Sequence, residues 1–238
     1  MQINFDVIAI SETRITNHNK SSHNLDINNY NFDFCATDST AGGTALYIKN
    51  SYSYTSRPDL TVYKSKELES NFFEINIPKK TNIIVGCIYR HPFMSLEEFN
   101  ENYLNVLLEK ISKEDKGFFL LGDFNVDLLK YDKHNSTNEF LDCLSSNFFL
   151  RNIVLPTRIN GNSKTLIDNI FSNITSSDTV SGNVSASISD HLPQFCIVPE
   201  LLGGSTTNKT NIYERDWSKF DRPNFILDYL AVDWTSKL

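Results

Sequence analysis

Asp123 and Asn125 follow an apolar run, GFFLLG at 117–122, and stand two residues apart. In an extended chain that spacing puts a carboxylate and a carboxamide on one face, just where a strand leaves a core. Two hard oxygen donors placed so suit a divalent cation and a phosphate. Alone, the pair is equally an ordinary Asx turn. Four more interruptions of apolar runs shift the balance. VIAI at 7–10 runs into Ser11 and Glu12, and IIVGCI at 83–88 ends in Tyr89, Arg90 and His91. Asp168 sits inside TLIDNIF, and Asp190 and His191 stand just ahead of QFCIV at 194–198. A buried carboxylate without a partner is costly, so Asp168 requires a hydrogen bond or a metal. Five such interruptions point to one shared site.

The chemistry these side chains could do together is phosphodiester hydrolysis. Glu12 can ligate Mg2+ or Mn2+, cations that take oxygen ligands and retain waters. Such an ion polarises a phosphate oxygen and steadies the leaving group. Asp123 would act as base or orienter of the attacking water, with Asn125 holding phosphate or water in line. His191, paired with Asp168 or Asp190, has the form of a His-carboxylate couple that fixes a tautomer and stabilises charge growing on the phosphoryl oxygen. Tyr89, Arg90 and His91 are placed to touch phosphate, against the alternative of a polar loop with a packed aromatic. Arg151, Arg158 and Lys164 are further cations that a nucleic-acid substrate would require. His18, His23 and His134 lie in Asn/Ser/Lys-rich loops and read as solvated.

Strands must carry these residues. Runs at 5–10, 30–35, 43–49, 72–77, 83–89, 117–122, 167–172 and 194–198 read as strands, several of them apolar throughout as in a sheet covered on both faces. Two stretches have helical spacing. Residues 95–111 place Leu96, Phe99, Tyr103, Val106, Leu107 and Ile111 on one stripe behind a Ser95 cap. Residues 136–149 place Phe140, Leu141, Leu144 and Phe148 together behind a Ser136–Glu139 capping box. Strands outnumber helices, which predicts sheets packed together with helices outside, an α+β class.

The chain has 238 residues, 40% of them apolar, enough for one sizeable core. The net charge of −7 gives no basic face of the kind nucleic-acid binders carry, so phosphate contact would depend on local cations or bound metal. The four cysteines lack zinc or redox spacing and read as reduced core residues. MQINFDVIAI is too short and polar for a signal peptide, and no run is long enough to span a membrane, so the reading is intracellular, in nucleus or cytoplasm and not secreted. The sequons at Asn19, Asn135, Asn173, Asn183 and Asn208 are then compositional. A domain is expected over 1–199, a linker over 200–212 and a further segment over 213–238, with a short helix at Asn224–Ala231 behind Pro223.

In this order, SET with Glu12, IYRHP with Tyr89, GDFN with Asp123 and Asn125, LIDNIF with Asp168 and SDH with Asp190 and His191 resemble the endonuclease/exonuclease/phosphatase superfamily over residues 5–198. FDVIAISETRI, GGTALYIKN, IYRHP and LLGDFNVDLL most resemble the apurinic-like endonuclease domain of non-LTR retrotransposons. The segment RDWSKFDRPNFILDYLAVDW resembles the connector that precedes the reverse transcriptase there. The resemblance implies a four-layer α/β/β/α sandwich (DNase I-like), with two sheets face to face between helices and the site at one edge. It implies a monomer that nicks DNA with Mg2+, leaving a 3' hydroxyl that primes an originally linked reverse transcriptase. It assigns Glu12 to the metal, Asp190 to metal or histidine, Tyr89 and His191 to phosphate, Asp123 to water activation and Asn125 to orientation. Asp168 would orient His191, and Thr157 in LPTRING, with Arg90 and Arg158, would contact substrate. Family members begin one strand and one helix earlier. The expectation here is that this first strand and helix are missing, which opens a sheet edge, removes an asparagine and lowers activity and stability. Two other readings stay open: a phosphatase or phosphodiesterase of the same fold on a small or lipid phosphate, and an inactive retrotransposon remnant that binds nucleic acid or protein.

Overall fold

The computed structural model describes residues 4–22, 25–186 and 188–202, with Asp221, Asn224 and Ala231 beyond them. The chain divides into two units, residues 1–203 and 204–238. Most of the expected linker and connector lies outside the described residues. Asn224 and Ala231 are both helical, as are no others described in that unit.

Three strands, β1 (Val7–Ser11), β2 (Tyr30–Cys35) and β3 (Thr44–Lys49), form an antiparallel sheet in the order β1-β3-β2. The large sheet contains β4 (Tyr54–Ser56), β5 (Tyr63–Lys64), β6 (Leu68–Ile75), β7 (Ile83–Arg90), β8 (Gly117–Asp123), β9 (Leu150–Arg151) and β12 (Asp168–Ser172). Its order is β4-β6-β7-β8-β12-β9, with β5 also on β6. A hairpin, β10 (Arg158–Asn160) with β11 (Ser163–Thr165), precedes β12, and β13 (Val180–Asn183) pairs with β14 (Gln194–Ile197). Between β7 and β8, which run parallel, the chain makes the helical crossover such a pair requires.

The apolar runs of β3, β6, β7 and β12 are buried on both faces, whereas those of β1 and β8 are partly exposed. On β7, Val85 and Cys87 pack with Leu46, Ile48, Phe73 and Ile75 between the two sheets. Ile84 and Ile88 face the other way, into the core with Phe99, Leu104, Leu108, Phe140 and Phe171. Helices thus cover the outer face of the large sheet. The outer face of the small sheet carries no α-helix among the described residues. Phe32 packs on Tyr47 (4.6 Å) and on Phe34 (5.5 Å) there, and Tyr47 Oη donates to Leu25 O of the long loop after β1. A cleft of about 470 Å³, walled by Val7, Ala9, Phe119, Leu121, Phe195 and Ile197 among others, runs beside β1, an edge strand of the small sheet.

Both helices depart from the sequence pattern. The first is α1 (Leu96–Phe99), a π-helical turn over Asn100–Leu104, and α2 (Asn105–Ile111), with Ser95 Oγ accepting from Glu98 N as expected of a cap. The wider turn advances the stripe by a residue. Leu104 and Leu108 are buried in place of Tyr103 and Leu107, and Val106 is exposed. The second helix, α3 (Asn135–Ser146), is not capped by Ser136. His134 occupies the cap without a side-chain bond, and Asn135 Nδ2 donates to Glu139 Oε1 instead. Phe148, expected on the apolar stripe, lies past the helix end in a left-handed turn (φ 63°) and is exposed, while Phe149 is buried.

Candidate active site

Strand register brings the site together. Tyr89 on β7 stands opposite Asp123 on β8, and Asp123 stands opposite Asp168 on β12. Residues paired across neighbouring strands share a face, so one row of side chains crosses three strands on the face turned to the small sheet. One residue earlier, Gly122 has φ +143°, and a Cβ there would lie 1.9 Å from Ile88 O. Only glycine lets β7 and β8 approach closely just before the carboxylate.

His191 completes the row from a loop. Its Nδ1 lies 3.0 Å from each oxygen of Asp168, and Thr157 Oγ1 donates to Asp168 Oδ2 at 2.7 Å. The Asp168 backbone N–H donates back to Thr157 Oγ1 at 3.1 Å. The loop bearing His191 is anchored where Leu192 N donates to Thr157 O and Ile159 N donates to Asp190 O. Of the two pairings open to His191 in sequence, the structure forms the one with Asp168. Asp190 instead accepts from Arg158 Nε at 2.8 Å on the surface, which holds its carboxyl below the usual range. Among the described residues, Asp123, Asp168 and His191 offer ligand atoms within 4.8 Å of one another.

Two residues flank the row in left-handed backbone, Glu12 at φ 54° and Asn125 at φ 49°. Such conformations cost energy outside glycine and persist where surrounding bonds enforce them. Asn125 N donates to Asp123 Oδ1 (2.9 Å), and Asn125 Nδ2 donates to Arg90 O (2.7 Å). Glu12 is met by Arg14 Nη2 at 2.9 Å. The Glu12 charge is felt at Tyr89 and at Asp123, where it favours the protonated forms.

Three residues, Arg90, Thr157 and His91, occupy places other than those expected. Arg90, expected at substrate, is buried, and its guanidinium donates to the carbonyls of Phe124, Met94 and Asn125. Burial lowers its proton affinity, and its donors serve the loop that carries Asn125. Thr157 is wholly buried and supports Asp168 rather than facing a ligand. His91, expected beside phosphate, is buried against Glu69. Tyr89 is itself only 3% exposed, its ring edge-on to His91. Arg158 remains half-exposed, paired with Asp190. Glu69 carries no signal in the sequence, and Gly42 and Gly43 stand there only within GGTALYIKN. Glu69 lies in KELESN, a polar run broken only by Leu68, where nothing marks it as buried.

Burial and the facing Asp168 carboxylate push the Asp123 carboxyl up to about 7, and the Asp168 contact raises the proton affinity of His191. Both shifts make the folded chain hold protons that the unfolded chain has released. Stability of the metal-free protein is therefore present at low pH and lost as pH rises, from the ordinary carboxylate range through about 7 for Asp123 and through the raised value for His191. We expect the thermal midpoint in chelator to fall by roughly 5 °C or more between about pH 5 and pH 8. Asp123→Asn should flatten the fall, and a slope of opposite sign would refute the assignment.

A buried pair of facing carboxylates with an imidazole is chemically suited to a cation, which offsets the repulsion that otherwise forces one of them to protonate. The sequence matches the Endonuclease/Exonuclease/phosphatase family over residues 2–191, and the chain belongs to that family. The family comprises hydrolases that generally depend on metal. No curated protein matches the sequence. Among solved structures, the endonuclease domain of TRAS1, a telomere-specific non-LTR retrotransposon, is similar at TM-score 0.57 and 12% identity, over 79% of this chain and 83% of that one. The human Nocturnin catalytic domain with bound sulfate aligns at TM-score 0.58 and 13% identity, over 80% and 79%. A Bacteroides thetaiotaomicron mannosyl-6-phosphatase aligns at 0.54 and 14%, over 82% and 86%. The fold is thus the α+β, DNase I-like one, shared by nucleases and phosphatases alike. No helix among the described residues is long and apolar enough to cross a membrane.

Proposed function

We propose that the chain is a Mg2+- or Mn2+-dependent phosphodiesterase that nicks DNA, as a non-LTR retrotransposon endonuclease does, and leaves a 3' hydroxyl able to prime an associated reverse transcriptase. The observation that carries this reading is the in-register row of Tyr89, Asp123 and Asp168 with His191 on Asp168. Glu12 and the Asp123–Asp168 pair are the residues that would hold the cation. When bound, the metal supplies charge to a phosphate oxygen and to the leaving oxygen.

The side chains do the rest. Asp123 takes the proton of the attacking water. Asn125, fixed through Arg90 O, orients that water or the phosphate. His191 keeps Nδ1 toward Asp168, which leaves Nε2 to donate to the phosphoryl oxygen as charge grows there. Tyr89, whose phenol burial keeps protonated, is a donor on the opposite flank. The exposed β10–β11 hairpin beside His191 adds Arg158 and Lys164 for a polyanionic substrate.

A direct comparison of substrates tests the reading. With Mg2+, the purified chain is expected to nick supercoiled plasmid and to leave p-nitrophenyl phosphate and sugar phosphates nearly untouched, with binding to DNA falling steeply with salt. Preference for a phosphomonoester would move the function to the phosphatase branch. That outcome has support in the net charge of −7 and in the engagement of Arg158 by Asp190.

A further inference from the structure

Glu69 on β6 stands opposite Tyr89, so the row of site residues extends by one more strand: Glu69, Tyr89, Asp123 and Asp168 lie side by side across β6, β7, β8 and β12. The Glu69 carboxylate is wholly buried. Its Oε2 accepts from Gly43 N at 2.7 Å and lies 3.2 Å from His91 Nε2. Its Oε1 has no hydrogen-bond partner. Burying a charged group with one oxygen unmet is unfavourable, and an apolar residue would occupy such a place at less cost. A carboxylate there calls for a role outside stability.

Both partners of Glu69 lead to the site. Gly42 and Gly43 take φ of +102° and +85°, and a Cβ on Gly42 would fall 2.3 Å from Glu69 Oε2, so the carboxylate reaches this turn because residue 42 is glycine. The carbonyls of the same glycines accept from Arg14 N (2.8 Å) and Thr13 N (3.1 Å). These are the residues immediately after Glu12, in the turn that holds it left-handed. In the other direction, the His91 ring stands edge-on to Tyr89, with centroids 4.7 Å apart. The His91 backbone is fixed where its N–H donates to Glu67 O.

We propose that Glu69 is a positioning residue that, through the Gly43 N–H and the His91 ring, ties the Glu12 turn of the small sheet to Tyr89 of the large one and so sets the geometry of the cation-binding flank. The proposal rests on the phosphodiesterase reading above. Glu69 touches neither substrate nor metal. It acts as the second layer of support that metal-ligating and phosphate-contacting groups require, and loss of such support costs roughly 10–100-fold in metal affinity or activity.

The test measures Mn2+ binding by calorimetry, thermal unfolding, and the kcat and KM of plasmid nicking, on wild type, Glu69→Leu and Glu69→Gln. Glu69→Leu removes a buried charge but leaves the Gly43 N–H without its acceptor, so its thermal midpoint should fall modestly while the chain stays folded. It should weaken Mn2+ binding and lower kcat by roughly 10–100-fold with KM for DNA little changed. Glu69→Gln keeps an acceptor for the Gly43 N–H and should recover most of both. Weakened Mn2+ binding in Glu69→Leu on a chain that never nicks upholds this proposal and rejects the nuclease reading. Unchanged Mn2+ affinity and kcat in a folded Glu69→Leu overturn the proposal and leave that reading intact. Should Glu69→Leu fail to fold, His91→Phe carries the comparison: loss of Mn2+ affinity there upholds the proposal, and wild-type affinity overturns it. A wild type that takes up no Mn2+ overturns both.

Discussion

Asp168→Asn is expected to lower the kcat for nicking on the order of 10²–10³-fold while the thermal midpoint at neutral pH holds or rises. The two signs come from two contacts of one carboxylate. Toward Asp123, its opposite residue on β8, Asp168 is a like charge that helps push that carboxyl up to about 7. The neutral isostere removes this repulsion and keeps an acceptor for the Thr157 hydroxyl. Toward His191, Asp168 is the group that favours the protonated ring. With an amide there, the ring is neutral and its Nε2 proton carries no charge to meet the phosphoryl oxygen. Kinetics and melting on the one variant check both halves, and His191→Ala should reproduce the kinetic loss alone. Equal loss of stability and activity would make Asp168 a structural residue only.

Arg90→Met is expected to cost about 3 kcal/mol of stability, a fall of roughly 6–12 °C in thermal midpoint, and to depress kcat with it. Three backbone carbonyls, those of Phe124, Met94 and Asn125, lose their donor inside the core, and methionine fills the volume without replacing a single bond. Because the Asn125 carbonyl is among them, the loop that carries Asp123 and Asn125 loosens. A phosphate-binding arginine would behave otherwise: KM for DNA would rise and the melting curve would not move. Denaturation together with steady-state kinetics separates the two.

The carboxylates and the histidine were legible in the sequence because each breaks an apolar run, and burial makes such a break expensive. The strands were legible for the same reason; YNFDFC at 30–35 is strand β2 with those bounds. What spacing does not carry is the other end of a side chain. Nothing in IYRHP tells that Arg90 bends back onto carbonyls 34 and 35 residues away, or that His91 turns to a glutamate on the neighbouring strand. Thr157 reads as a loop residue, and only the pairing of its hydroxyl with Asp168 makes it internal. The π turn at Asn100–Leu104 rotates the helix stripe with no residue to announce it. Short strands such as β5 and β9 exist only through pairing with β6 and β12, which a local pattern cannot supply.

In the function proposed above, one row of side chains hydrolyses phosphodiesters with the help of a cation. Conversion of supercoiled to open-circular plasmid by the wild type, Asp123→Ala and His191→Ala, each with Mg2+ and with chelator, tests it most directly. Nicking by the wild type with Mg2+, loss of it in chelator, and rates at least about 10²-fold lower in both variants, with circular dichroism showing them folded, are the expected results. A folded wild type no faster than its two variants would contradict that function.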